Sequence, residues 1–307
     1  MSYRLKPDET VRHGLKRIVR RQLERAGQSL HDAGKERIHE ARKSVKKARA
    51  IVRLLRQADA VGIGKDMRRL RSAGRVLSRL RDADAVLATL DRVRRRFPKR
   101  LPEHTAAIIR RELIRTKSEM MKDARNIRRI AHAARALRCV RRSLPQWEVP
   151  KLGATDVADL LKTSYRDGRK AMLKVRKTTR ASDVHRWRKR VKTVWYQLRL
   201  LEGHAPSIRT MLPRFERLQT LLGEHHDLAV LQAIVRDHRR HRAPEAFRQL
   251  STLTHQLQTT LRRQALSQGK RLLDDKPKSF RRALRRALSG SSRKAGATVR
   301  VSAPAAA

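Results

Sequence analysis

The 307-residue chain is poor in acids: 28 Asp and Glu stand against 78 Lys and Arg, a formal net charge of +50. Self-repulsion on that scale opposes a compact state and attracts polyanions. Nucleic acid, anionic membrane and inorganic polyphosphate are all candidate partners, and charge by itself does not choose among them. A lone cysteine, Cys139, excludes an intrachain disulfide and a thiolate zinc cluster within one chain, and is compatible with a reducing cytoplasm. No run approaches the roughly 18 uncharged residues of a spanning helix, and Met1 to Glu9 lack an apolar signal core. A soluble or peripherally associated cytoplasmic protein is expected. Aromatics make up 3%, and 13 glycines and 10 prolines are few for this length. What remains is rich in Ala, Leu, Arg, Lys and Gln, which are helix formers. Apolar residues, at 39%, suffice for a core, so an all-α protein is the natural reading.

One helical stretch occurs twice without a gap, from Ile38 to Leu55 and from Val184 to Leu201, with His39 and His185 lying 146 positions apart. At that offset Arg42 meets Arg188, Lys46 meets Lys192 and Arg53 meets Arg199. At about 100° per residue, His39, Arg42, Lys46, Arg49 and Arg53 share roughly a quarter-turn of the helix. Ala41, Val45, Ala48, Val52 and Leu55 fill the neighbouring sector, so an apolar stripe runs beside a basic one. Like charges on adjacent turns repel by a few tenths of a kcal/mol per pair, and no acid is interspersed in this row. Such a row is best tolerated when an anion comes to neutralise it.

Taken in order, Asp8, Glu9 and Thr10 form a capping region for a first helix to about Leu30, and Gly34 breaks it. The first basic-stripe helix ends near Asp59, with Gly62 and Gly64 marking the turn. A third helix carries Met67, Leu70, Ala73, Leu77 and Leu80 on one side and Arg68, Arg71, Arg75 and Arg79 on another. Pro102 and Glu103 open a long fourth helix to Leu144, with Arg115, Lys122, Arg125 and Arg129 on one side. Pro145 to Thr155 reads as a linker close to the midpoint. Beyond it, Ser182 and Asp183 serve as a cap for the second stripe helix, and Asp227 matches Asp82 at an offset of 145. The expected fold is all-α: two four-helix bundles, residues 5–145 and 154–275, related by an internal pseudo-twofold. Residues 276–307 read as a basic Ser/Ala-rich tail, mostly disordered, with a short helix over 279–288.

A helix reading His-x-x-Arg-(basic)-x-x-(basic)-(basic)-x-Arg-x-x-x-Arg, duplicated, and followed in each half by Leu-(Gly or Ser)-x-x-x-Asp, resembles the CHAD family, the conserved-histidine α-helical domain. His39 to Arg53 matches throughout; His185 to Arg199 matches with Thr193 and Trp195 in place of Lys47 and Arg49. Leu77-Ser78 with Asp82, and Leu222-Gly223 with Asp227, carry the second motif. The resemblance covers roughly residues 5 to 275. It implies basic stripes facing a central groove or pore, binding of inorganic polyphosphate there and association with polyphosphate granules. The stripe residues it implies are His39, Arg42, Lys43, Lys46, Arg49, Arg53, His185, Arg188, Lys189, Lys192 and Arg199; Arg68, Arg71 and Arg75 on the third helix's basic face, and Arg214, are further candidate binding residues. The departures at Thr193 and Trp195 thin the second lining, so binding is expected to lean on the first half.

The chemistry agrees with this expectation. Linear polyphosphate carries about one negative charge per phosphate and no bases, so it calls for a dense cation row and little else. Arginine forks bridge two phosphate oxygens while lysine acts as a point charge. For His39 and His185 the alternatives are phosphate contact, positioning of the stripe helix, a hydrogen-bonded structural role and a phosphohistidine. Among cations alone each is pushed towards neutrality; beside phosphate it is pulled towards charge. His225-His226-Asp227 and His238-x-x-His241 read as non-metal, because the first pair points to different faces and the second lacks further ligands. Asp82, Asp84 and Asp227 invite a Mg²⁺ reading, yet no Gly-x-x-x-x-Gly-Lys-(Ser/Thr) or Gly-rich loop is present. A binding protein without catalytic activity, cofactor or metal is therefore expected. A non-specific DNA- or RNA-binding protein is the alternative, since phosphate contacts alone bind nucleic acid.

Overall fold

The computed structural model describes residues 3–6, 8–31, 35–122, 124–238 and 244–298, with side chains placed at all of these except 35–37, 79–85, 116–122, 124–126, 237–238, 244 and 290–298. The described residues form ten α-helices and no strand. In order these are α1 (Val11–His31), α2 (Lys35–Gln57), α3 (Gly64–Arg96), α4 (Glu103–Lys122), α5 (Ala124–Ser143), a 3-10 turn (Leu144–Gln146), α6 (Ala154–Lys177), α7 (Ala181–Leu200), α8 (Pro206–His238), α9 (Pro244–Leu273) and α10 (Pro277–Thr298). The first N-cap is Thr10, whose hydroxyl accepts the His13 amide at 3.3 Å. At the turn after α2, Gly62 has φ +81°, a conformation that glycine adopts without strain.

The duplicated helices are α2 and α7. Ala41, Val45, Ala48, Val52 and Leu55 are fully buried, and so are their counterparts Trp187, Val191, Val194, Leu198 and Leu201. Burying one Val or Leu stabilises by about 1.5–3 kcal/mol, against a few tenths lost per like-charge pair. The apolar sectors therefore hold the cation rows in place. The two helices meet directly, where Gln197 Nε2 donates to the Ala50 carbonyl at 3.0 Å inside the core.

Two apolar clusters organise the interior, and each draws on both halves of the sequence. The larger takes α1, α2, α5, α6, α7 and α10 with the N-terminal halves of α3 and α8 and the C-terminal part of α9. The smaller joins Val86, Leu90 and Val93 of α3 and Leu228, Leu231 and Val235 of α8 to α4 and to Phe247, Leu250 and Leu253 of α9. The 33-residue helices α3 and α8 run through both. At 1.5 Å per residue each is about 50 Å long, which is why one helix serves two cores.

The stretch read as a fourth helix is described as α4 in the smaller cluster and α5 in the larger, and three other sequence expectations change. The midpoint segment is pinned rather than loose. Trp147 is buried and its Nε1 donates to the buried Asp66 at 2.9 Å, while Val61 and Glu148 form a backbone bridge. The cap of α7 is Arg180, so Asp183 lies within the first turn, paired with Lys174 at 3.2 Å and bonded by the Thr178 hydroxyl at 3.1 Å. The expected boundary at 275 stops short of α10. Phe280 stacks on Tyr165 at 4.0 Å between ring centres, and Leu284 and Leu288 are buried with it. An apolar residue every fourth position gave α10 a face to bury despite its basic composition. Leu80, Arg79, Asp82, Asp84, Lys122, Arg125, His238 and His241, and the tail from 290 on, lie outside the described side chains.

Candidate functional site

Around α2, α7 and α8 the chain gathers cations. Arg42 and Arg188, one from each copy of the repeat, are each 8% exposed, an unusual depth for arginine. With Lys46 and Lys189 they surround His185, whose ring lies 4.1 Å from that of His226 on α8. Burial pushes His185 down to about 4, and Lys189, Arg188, Lys46 and Arg42 push the same way. His226 is pushed down to about 3, by burial first and then by His185, Arg188, Arg42 and Lys46. The charges that act most on this imidazole pair, those of Lys189, Arg188, Lys46 and Arg42, are positive. Both rings are therefore neutral near pH 7. Among the described residues His185 Nδ1 is buried without a hydrogen bond.

The row continues along α2. Arg49 reaches α3, where Gly74 makes room for it: a Cβ there would lie 3.0 Å from Arg49 Nη1. Arg71 and Arg75 repel Arg49, which burial already pushes down from the ordinary arginine value. Lys189 joins from α7, pushed down by burial and then by Arg49. Gly223, from the Leu-Gly-x-x-x-Asp motif, lies under the other arginine, its Cβ position 3.8 Å from Arg188 Nε. On α3 the missing side chain at Gly74 thus lets the Arg49 guanidinium lie close along the helix backbone.

At its far end the row meets a carboxylate. Arg53 Nη2 donates to Asp167 Oδ2 at 2.6 Å, and Arg190 Nη1 approaches the same oxygen at 3.0 Å. Burial and the nearby Arg190 lower Arg53, and Asp167 works against them.

A second cationic group forms on the other flank of α2. Lys47 Nζ lies 5.5 Å from the Tyr3 ring centre, and Arg199 lies over Tyr3 at 5.6 Å and over Trp195 at 5.1 Å. Tyr3 donates its hydroxyl to the Lys47 carbonyl at 3.1 Å. Burial pushes Lys47 down to about 8, followed by Arg199, Lys43 and Arg25. Lys43 also pairs with Glu40 at 3.3 Å.

Of the residues singled out in the sequence, Arg42, Lys46, Arg49, Arg53, Arg71, Arg75, His185, Arg188 and Lys189 thus fall in one electrostatic neighbourhood. Lys43 and Arg199 belong to the Tyr3 flank. Arg68 and Arg214 are exposed, and His39 and Lys192 are half-buried on the stripe helices. Asp227 is half-buried on α8. His226, Arg190, Lys47 and Asp167 were not singled out as binding residues. His226 had a signal, since it directly precedes the motif aspartate, as Arg81 does in the first half. His225, by contrast, is buried, and burial with Arg262 pushes it down to about 4. Among the described residues no three His, Cys, Asp or Glu side chains converge as metal ligands, and no helix is long and apolar enough to cross a membrane.

Fold and site define an all-helical protein whose duplicated helix pair concentrates cations from both halves of the chain. It belongs to the CHAD domain family, whose model matches residues 17–236. The fold is similar to the crystal structure of the CHAD domain from the plant Ricinus communis, with a TM-score of 0.52 and 19% identity over 92% of this chain and 94% of that one. No curated protein matches the sequence.

Proposed function

We propose that this protein binds inorganic polyphosphate through the cation row of α2, α7 and α3, set in a basic groove between the two repeats. The observation that carries the reading is the neighbourhood itself. Arg42 and Arg188 are nearly buried and act with Lys46 and Lys189 on His185, whose imidazole and that of His226 are pushed towards neutrality. Keeping such a group in place costs stability, and a polyanion returns that cost when it binds. A linear polyphosphate supplies charge at short, regular intervals and has no bases to read. The site has arginine forks and lysine point charges, which suit phosphates. The biological role that follows is association with polyphosphate granules, by capture rather than by turnover. The core of the binding unit comprises α1 to α10, and the last residues add non-specific attraction.

Titration of long-chain polyphosphate into the protein at about 0.15 M salt tests this, with chain length followed by gel over hours with and without Mg²⁺. Tight binding with unchanged chain length is expected. Progressive shortening would make the protein an enzyme, and absence of binding would end the reading. Truncation should begin at 290, because cutting at 281 removes the buried Leu284 and Leu288 and confounds folding with binding.

A further inference from the structure

The carboxylate of Asp167 stands where a phosphate would be expected. It projects from α6 to the end of the cation row, and a single oxygen, Oδ2, receives Arg53 of α2 at 2.6 Å and Arg190 of α7 at 3.0 Å. Two guanidinium groups converging on one oxygen is the arrangement they would adopt around a bound anion. The three side chains are also within reach of solvent: Asp167 is 23% exposed, Arg53 34% and Arg190 33%. A pair this exposed contributes little to stability. Around His185 and His226 the charges that act most are those of Lys189, Arg188, Lys46 and Arg42.

We propose that Asp167 is a built-in counter-ion that competes with the incoming polyanion for Arg53 and Arg190 and so limits the affinity of the site at that end. The inference rests on the polyphosphate reading and deepens it. In the free protein Asp167 relieves the repulsion between α2 and α7 at this end. When a polyphosphate chain extends along the row, its phosphates must displace the carboxylate to reach these two arginines, or stop short of them. Asp167 thereby sets how many contacts the ligand gains, and so favours long chains, whose other contacts hold them in place while the exchange occurs.

The test uses the full chain with Asp167→Asn, and Asp167→Glu as the control that keeps the charge. Affinity for long-chain polyphosphate and the slope of log K against log salt are measured for each, with circular dichroism and melting to check the fold. Asp167→Asn is expected to bind about tenfold more tightly and to steepen the salt slope by about one to two, as the two arginines gain phosphates. Asp167→Glu, which keeps the charge, should not reproduce that gain. Unchanged or weaker binding by a folded Asp167→Asn would overturn the proposal, because the carboxylate would then be orienting the arginines rather than competing. A wild type that binds no polyphosphate sinks the underlying reading and this inference together. A wild type that binds while Asp167→Asn gains nothing sinks this inference alone.

Discussion

The two ends of the cation row handle the same repulsion differently. Near Arg42 and Lys46 the neighbours are His185, His226 and Arg188, and burial leaves both imidazoles uncharged. Near Arg53 and Arg190 the neighbour is Asp167, which carries an opposite charge. Arginine does not shed its proton in a protein, so a crowded row can lower its charge only by including groups that do, or by borrowing an acid. One end includes a pair of histidines and the other an aspartate. Both devices reverse when an anion arrives: the imidazoles can take up protons, and the carboxylate can be displaced. The comparison teaches that a site for a polyanion must also be a site that survives without it.

The largest expected effect is at the histidine end. Arg42→Gln with Arg188→Gln removes the two deepest cations, and each charge-assisted bond is worth about 1.5–3 kcal/mol. Calorimetric titration should give at least a 100-fold loss of polyphosphate affinity, against less than about threefold for Arg68→Gln with Arg214→Gln at exposed positions. A similar loss from both pairs would erase the distinction between site and surface.

Acidification comes next. Ligand phosphates beside His185 and His226 favour the charged imidazoles, so their pKa values rise on binding and protons are taken up. Affinity for long chains, whose internal phosphates stay ionised, should therefore rise severalfold between pH 7.5 and pH 5.5, and His185→Phe with His226→Phe should flatten the profile. For the free protein the sign is opposite. With folded values of about 4 and 3 against an ordinary value near 6.5, the unfolded chain takes up protons first, so Tm should fall as pH drops below about 6.5.

The smallest effects refine the frame. Truncation after Ser289 should change polyphosphate affinity less than about threefold, whereas truncation after Asp275 exposes Tyr165 and should lower Tm by several degrees. Gly74→Ala should raise Tm slightly, through a helix-propensity gain of up to about 1 kcal/mol. Its Cβ would push the flexible tip of Arg49, so binding should weaken by no more than about twofold.

How much was legible follows from where each contact lies. The apolar sectors of α2 and α7 are periodic along one helix, and the residues read as buried are buried. Lys43 and Arg199, expected in the binding row, lie instead with Lys47 and Tyr3 on the other flank of α2. What the sequence hid comes from other helices. His226 meets His185 through the packing of α8 on α7, and Asp167 meets Arg53 across 114 positions. Neither pairing follows a helical period. Phe280, Leu284 and Leu288 were periodic, but the basic residues between them made α10 read as tail. Trp195, a departure from the family pattern, carries Arg199 on its ring instead of adding a cation.

The central claim is that the duplicated stripe is the binding site and that its ligand is polyphosphate. The most direct measurement is competition at about physiological salt between long-chain polyphosphate and duplex DNA. It compares the wild type with the combined variant Arg42→Glu, Lys46→Glu, Arg188→Glu and Lys192→Glu, with helicity confirmed by circular dichroism. Polyphosphate should displace DNA from the wild type, and the folded variant should lose polyphosphate selectively. DNA competing on equal terms, with a variant that still binds both, would contradict the account and make the stripes a scaffold for charge elsewhere.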